Sequence, residues 1–169
     1  MSGPTVIFFS VPGETYFPDG IRSVEVGNTA IVAKKLGEIL GCDVKEIEPK
    51  ELYPLTYNGQ VERAKMELAN NDRPEISQIK IDSDVVFLLY PNWCSTIPMP
   101  VATFLDSIDW KGKKIHPLCT NEGSGMGRSV DDIRKIVPDA VVSDGLSVRG
   151  HTANECDDVL KEWVSEVRP

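Results

Sequence analysis

Basic residues are scarce in this 169-residue chain: 18 Lys and Arg stand against 26 Asp and Glu, a formal net charge of −8. That balance is opposite in sign to the cationic footprint a phosphate backbone requires, so no nucleic-acid partner is expected. Cysteine and histidine are scarcer still, at four and two. Cys42, Cys94, Cys119 and Cys156 lie far apart with no CxxC pair, which excludes the usual zinc and dithiol patterns. They read as free thiols, most of them small buried hydrophobes. His116 and His151 have no second ligand at metal spacing, so both read as structural and no metal site is expected. Long apolar runs are missing as well. None approaches the ~20 residues of a spanning helix, and Val6-Ile7-Phe8-Phe9, with no basic residue before it, is too short for a signal-peptide core. The expectation is a cytoplasmic protein with no membrane association.

What is present is an ordinary globular composition, 41% hydrophobic and 26% charged, which argues against disorder and low complexity. The length fits one domain, residues 1–169, large enough to bury a core without disulfides or metals. Apolar runs of strand length recur at Thr5–Phe9, Asp43–Ile47, Asp84–Tyr90, Lys114–Cys119 and Ala140–Val148. The run around Val85-Val86-Phe87 is continuous rather than alternating, as in a parallel sheet covered on both faces. Helical stripes separate the runs. Thr29–Leu40 aligns Val32, Leu36, Ile39 and Leu40, with Thr29 placed to cap and Gly41 to terminate. Similar spacing marks Val61–Ala69, Val101–Ile108, Ser129–Val137 and Cys156–Val167.

Five β-α units in sequence predict parallel strands joined by right-handed crossovers. The fold class is α/β: a three-layer, doubly wound sheet of five parallel strands in the order 2-1-3-4-5, with ligands at the carboxyl ends near the switch between strands 1 and 3. Residues 11–26 and 51–58 read as irregular. Trp110 and Trp163 read as packing residues, and Asp131-Asp132 as charges in the first turn of the fourth helix.

Three loops meet at the carboxyl edge. Ser10 follows the first strand, and beyond residues 11–26 the run Gly27-Asn28-Thr29-Ala30 opens the first helix. Small residues and hydroxyls there let backbone N–H groups and the helix dipole converge on an anion, a phosphate for example. The same residues read equally as a helix cap after a glycine turn. After the third strand comes Pro91-Asn92-Trp93-Cys94-Ser95-Thr96, a stiff loop whose tryptophan suits a flat ring but would serve as well to plug the layer beneath it. After the fourth comes Thr120-Asn121-Glu122-Gly123-Ser124-Gly125-Met126-Gly127, where glycines permit close backbone approach or simply a flexible connection. Its glycine spacing is not a dinucleotide fingerprint, because that belongs to the first βα turn. A phosphate site, a ring site and a polar edge together point to FMN, whose position at this switch is established for the topology.

At Gly27-Asn28-Thr29, Ile47-Glu48-Pro49, Tyr53-Pro54, Tyr90-Pro91-Asn92-Trp93, Met99-Pro100 and Cys119–Gly127, the sequence resembles the flavodoxin family, more closely a subgroup of short bacterial flavodoxin-like proteins. The resemblance runs from the first strand to about Arg149. It implies a noncovalent FMN, with the phosphate held by Ser10, Asn28 and Thr29. The ring would lie between Pro91–Thr96 and Thr120–Gly125. Two features depart from the family pattern. Residues 11–26, with Tyr16, Phe17 and Asp19, replace a very short loop and read either as a lid or partner site or as a solvent-facing insertion. Cys94 stands where a second tryptophan is usual, and with no basic residue in its loop it reads as packing rather than as a catalytic thiol.

The implied function is electron transfer through the flavin, with no catalytic residue assigned, to redox partner proteins or a small electron acceptor. The acidic surface would steer basic partners. Two alternatives stay open: an NAD(P)H-dependent FMN quinone or nitro reductase, and a cofactor-free interaction module. A phosphoacceptor receiver domain shares the strand order but needs acidic residues at the first strand's end and an aspartate after the third. Phe9-Ser10 and Tyr90-Pro91 stand there instead.

Overall fold

A computed structural model describes residues 3–167, so residues 1, 2, 168 and 169 of the expected 1–169 domain lie outside the described range. The elements run β1 (Thr5–Phe8), β2 (Gly13–Phe17), β3 (Gly20–Val24), α1 (Asn28–Leu40), β4 (Val44–Glu46), α2 (Tyr57–Ala69), β5 (Val85–Pro91) and α3 (Met99–Asp106). There follow β6 (Lys114–Asn121), α4 (Ser129–Ile136), β7 (Val141–Val142), β8 (Leu146–Arg149), a 3-10 turn (Gly150–Glu155) and α5 (Asp157–Val167). The main sheet has the order β4-β1-β5-β6-β7, with β8 also paired to β6, and every one of its pairings is parallel. In terms of the expected strands this is 2-1-3-4-5.

Continuous apolar strands alternate their side chains between two cores. Val6, Phe87 and Leu89 point toward Val32, Leu36, Leu160 and Trp163 of α1 and α5. Ile7, Val86, Leu88 and Tyr90 point the other way, toward Val101, Phe104 and Leu105 of α3 and Ile133 of α4. Trp110 is a core residue, donating from Nε1 to the Leu105 carbonyl at 2.7 Å, and Trp163 packs edge-on against Phe87 at 5.4 Å between centroids. His116 is buried beside both rings, with Nδ1 2.8 Å from Ser143 Oγ. Burial holds its pKa below the usual histidine value, and the Lys114 charge adds to the shift.

Three expectations need correction. The fifth strand is split. Lys114 pairs with Val141, but Leu118 pairs with Leu146, so β6 is matched with a one-residue slip between β7 and β8. Pro117 offers no N–H at the break, and Gly145 has φ +83° with an ideal Cβ only 2.7 Å from the Pro117 carbonyl oxygen. An unbroken ladder cannot pass that point. Residues 11–26 are not irregular: β2 and β3 form an antiparallel hairpin, Tyr16 opposite Ile21, joined through Pro18-Asp19. Finally, α2 begins at Tyr57 rather than Val61, because Thr56 Oγ1 accepts from Gly59 N at 3.2 Å and caps it.

Candidate functional site

A cleft of about 460 Å³ opens at the carboxyl ends of β1, β5 and β6. Ser10, Asn28 and Thr29 line one part of it. Gly27 is the N-cap of α1, in extended conformation with φ −66° and no side-chain cap, and no acidic residue occupies the first turn. Thr29 is not the cap expected for it: its hydroxyl is buried and shares a 2.7 Å hydrogen bond with Thr120 Oγ1. The first-turn N–H groups therefore have no capping side chain and remain able to meet an anion. Gly27 is glycine for proximity rather than for its φ. An ideal Cβ would lie 2.2 Å from Ser10 Oγ and 2.6 Å from the Val11 carbonyl oxygen. The chain leaves at Ser10-Val11 and returns against the same atoms at Gly27, with the hairpin looped out between.

The second wall is the loop after β5. Pro91, Asn92, Trp93 and Cys94 line the cleft. Trp93 is locked by T-shaped contacts with Phe9 at 5.2 Å and Tyr53 at 5.0 Å, so it both plugs the layer beneath and faces the cavity. Reciprocal backbone hydrogen bonds close Trp93 on Thr96, with Cys94 at φ 56° and Ser95 at φ 67°, both left-handed. That reversal carries Ser95 and Thr96 out of the lining: the Ser95 carbonyl accepts from Arg128 N, and the buried Thr96 hydroxyl donates to Asp132. Basic groups do approach Cys94, from Lys65 and Arg128, but burial outweighs them and raises the thiol pKa. The thiol stays protonated at neutral pH and is no ready nucleophile.

The end of β6 contributes Thr120 and Asn121, and the loop after it Glu122 and Ser124. Asn121 Oδ1 accepts from Gly123 N at 2.9 Å and Gly125 N at 3.0 Å, and Asn92 Nδ2 donates to the Gly125 carbonyl at 3.0 Å. Gly123, at φ 123°, and Gly125, at φ 71°, thus shape the loop without lining the cavity. Glu122 accepts from His151 N at 2.9 Å and pairs with His151 Nδ1 at 2.6 Å, bringing Gly150 to the rim beside Asn28. Gly27 and Ala30 also sit outside the lining and could reach a ligand only through their backbone.

The remaining side of the cleft comes from residues 11–26, offered by the sequence as a lid or an insertion, and from α2, which the sequence did not place there. The hairpin supplies Glu14, Thr15 and Tyr16, and α2 supplies Tyr57, Gln60, Val61, Ala64 and Lys65. The hairpin is bolted to α2: Glu14 N donates to the Leu55 carbonyl at 2.7 Å, Glu14 Oε1 accepts from Tyr57 N at 2.8 Å, and Gln60 Nε2 reaches the Pro12 carbonyl at 3.3 Å. The signal that could have revealed it is Pro18-Asp19-Gly20, a turn sequence with a stereochemical reason. No cluster of metal ligands occurs among the described residues. The arrangement offers an anion site at a helix N-terminus, an aromatic wall and a polar loop, with the Glu122–His151 pair at its rim.

Comparison with known proteins gives a consistent picture. Residues 22–167 match the family model of flavodoxin. No curated protein matches the chain. Among solved structures, a provisionally designated flavoprotein of Bacteroides eggerthii is 29% identical over 95% of this chain and 98% of its own, with a TM-score of 0.71. Another, of Bacteroides uniformis, is 22% identical over 98% and 99%, with a TM-score of 0.78. A flavoprotein of Lactobacillus acidophilus in complex with FMN is 17% identical over 92% and 98%, with a TM-score of 0.68.

Proposed function

The chain belongs to the flavodoxin family, and from that premise we propose that residues 1–169 act as one domain that binds FMN noncovalently and passes electrons through it. One observation carries the reading: the uncapped N-terminus of α1, with Ser10 against it, opens into the same cleft as the locked face of Trp93. The residues fit the cofactor. Ser10, Asn28 and the backbone from Gly27 to Ala30 would hold the phosphate without needing a lysine. Pro91–Cys94 and Thr120–Glu122 would hold the ring, and a cavity of about 460 Å³ falls in the usual range for small-molecule sites. Bound there, the flavin would supply one- and two-electron redox chemistry.

The chain's own residues orient and insulate. Phe9 and Tyr53 fix the Trp93 plane, and Asn121 fixes the loop backbone, so little ordering is left for the ligand to induce. The reading favours an electron carrier serving redox proteins or a small acceptor. The test is a parallel titration with FMN and riboflavin, followed by flavin absorbance and by thermal unfolding. FMN should be retained through dialysis and at a hundredfold excess over its Kd stabilise the fold by ~2.7 kcal/mol. Riboflavin should do neither. Ser10→Ala should weaken FMN by about tenfold, the worth of a charge-assisted hydrogen bond, and leave riboflavin unchanged. Retention of neither flavin would reduce the protein to a binding module of the same shape. Bleaching of bound flavin by NADPH alone would reassign it as a reductase.

A further inference from the structure

The cleft has two sides of different origin. The loops after β1, β5 and β6 build the side assigned above to FMN. The other side comes from β2 and the first turns of α2, and its chemistry is distinct. Tyr16 is 50% exposed, and its ring lies 6.4 Å from that of Tyr57 at 38°, a tilted contact rather than a parallel stack. Both rings line the cavity, as do Val61 and Ala64. Lys65, exposed at the rim, is the one Lys or Arg lining the cleft among the described residues, and no carboxylate there lies within ion-pairing distance of it.

The two acids that line the cleft make their contacts elsewhere, and neither is paired with Lys65. Glu14 is engaged by the Tyr57 N–H at the start of α2, and Glu122 is engaged twice by His151. A molecule of net charge −8 repels anions at a distance, so discrimination in favour of one must come from a contact, and Lys65 provides it. The hairpin is held against α2 by hydrogen bonds to Leu55, Tyr57 and Gln60, which positions Tyr16 beside Tyr57.

We propose that this side of the cleft is a second binding site, for a flat aromatic anion lying against Tyr16 and Tyr57 with its charged group at Lys65. The proposal rests on FMN occupying the opposite side, and it gives the small redox partner a chemical class: planar aromatic carboxylates or sulfonates. Calorimetric titration of the FMN-loaded protein tests it, with anthraquinone-2-sulfonate as the probe and uncharged 2-(hydroxymethyl)anthraquinone as the comparator. The sulfonate should bind more tightly. Lys65→Met should weaken the sulfonate by about fivefold, as for an exposed ion pair, and leave the uncharged ring unaffected. Tyr16→Ala should weaken both by up to about tenfold. Neither substitution should change FMN affinity.

Wild-type holoprotein that fails to bind the sulfonate, or a Lys65→Met variant that binds it as well as wild type, overturns the second site and leaves the FMN reading intact. Loss of FMN affinity in either variant also overturns it, since those residues would then belong to the flavin. Failure of the wild-type protein to take up FMN overturns both.

Discussion

Cys94 and Ser95 occupy the left-handed region in succession, at φ 56° and 67°. For L-residues with a side chain that conformation costs roughly 1–2 kcal/mol each, and glycine escapes it at a smaller entropic cost. Ser95 contributes only backbone to its surroundings, through its carbonyl to Arg128, so Ser95→Gly should stabilise the protein by about 0.5–1 kcal/mol. A urea midpoint that falls or stays constant would refute this. His116 makes a second residue-level prediction. Its folded pKa lies below the ordinary 6.5, so at pH values between the two the unfolded chain binds more protons. Stability is fully present above 6.5 and declines as pH falls toward the folded value. The midpoint should therefore drop between pH 7.5 and 5.5, and less so in His116→Gln once that variant's own baseline is subtracted. Residue-scale placement was partly legible. Ser10, Asn28, Trp93 and Asn121 line the cleft because each lies within two residues of a strand's carboxyl end or opens a helix. Ser95 and Thr96, two and three positions past Trp93, turn away because the reversal that removes them is built from residues that do not advertise positive φ.

The β2–β3 hairpin is the element the sequence conceals. Its strands are short and lack a clean alternation, since β2 buries only its two end residues, Gly13 and Phe17, and β3 buries none fully. Only Pro18-Asp19-Gly20 marks the reversal. The second strand-scale miss, the break before Gly145, arises because Ala140–Val148 is apolar on both sides of it. The lining from α2 was illegible for a different reason: Tyr57, Val61 and Lys65 meet the cleft through contacts between segments far apart in sequence. Since Val11 and Gly27 already touch, replacing residues 13–25 by Gly-Gly should leave the sheet and the preference for FMN over riboflavin in place. Bound flavin should become more accessible to quenching by iodide. A variant that no longer distinguishes the two flavins would show the hairpin to be integral to the phosphate turn.

The whole molecule repeats one plan, a parallel sheet with Ile7 and Leu88 committed to one core and Val6 and Phe87 to the other. This level was the most legible, because burial on both faces leaves continuous apolar runs and because helix stripes stand between them. Charge also belongs to this scale. At −8, association with a basic redox protein should slow as salt rises from about 20 to about 200 mM, as screening shortens to under 10 Å. Stopped-flow oxidation of the reduced holoprotein by a basic haem protein measures it, and a rate independent of salt would remove the electrostatic argument.

The meeting of Ser10-Val11 with Gly27 also has a kinetic meaning. An excursion that leaves and re-enters the fold at one point is a side branch of the chain, able to unzip as a separate cooperative unit while every strand of the main sheet stays paired. Its amides should then exchange with solvent deuterium through small openings, long before those of β1 or β5. The lifetime of anything held beneath it would be clocked by that local melting rather than by global unfolding.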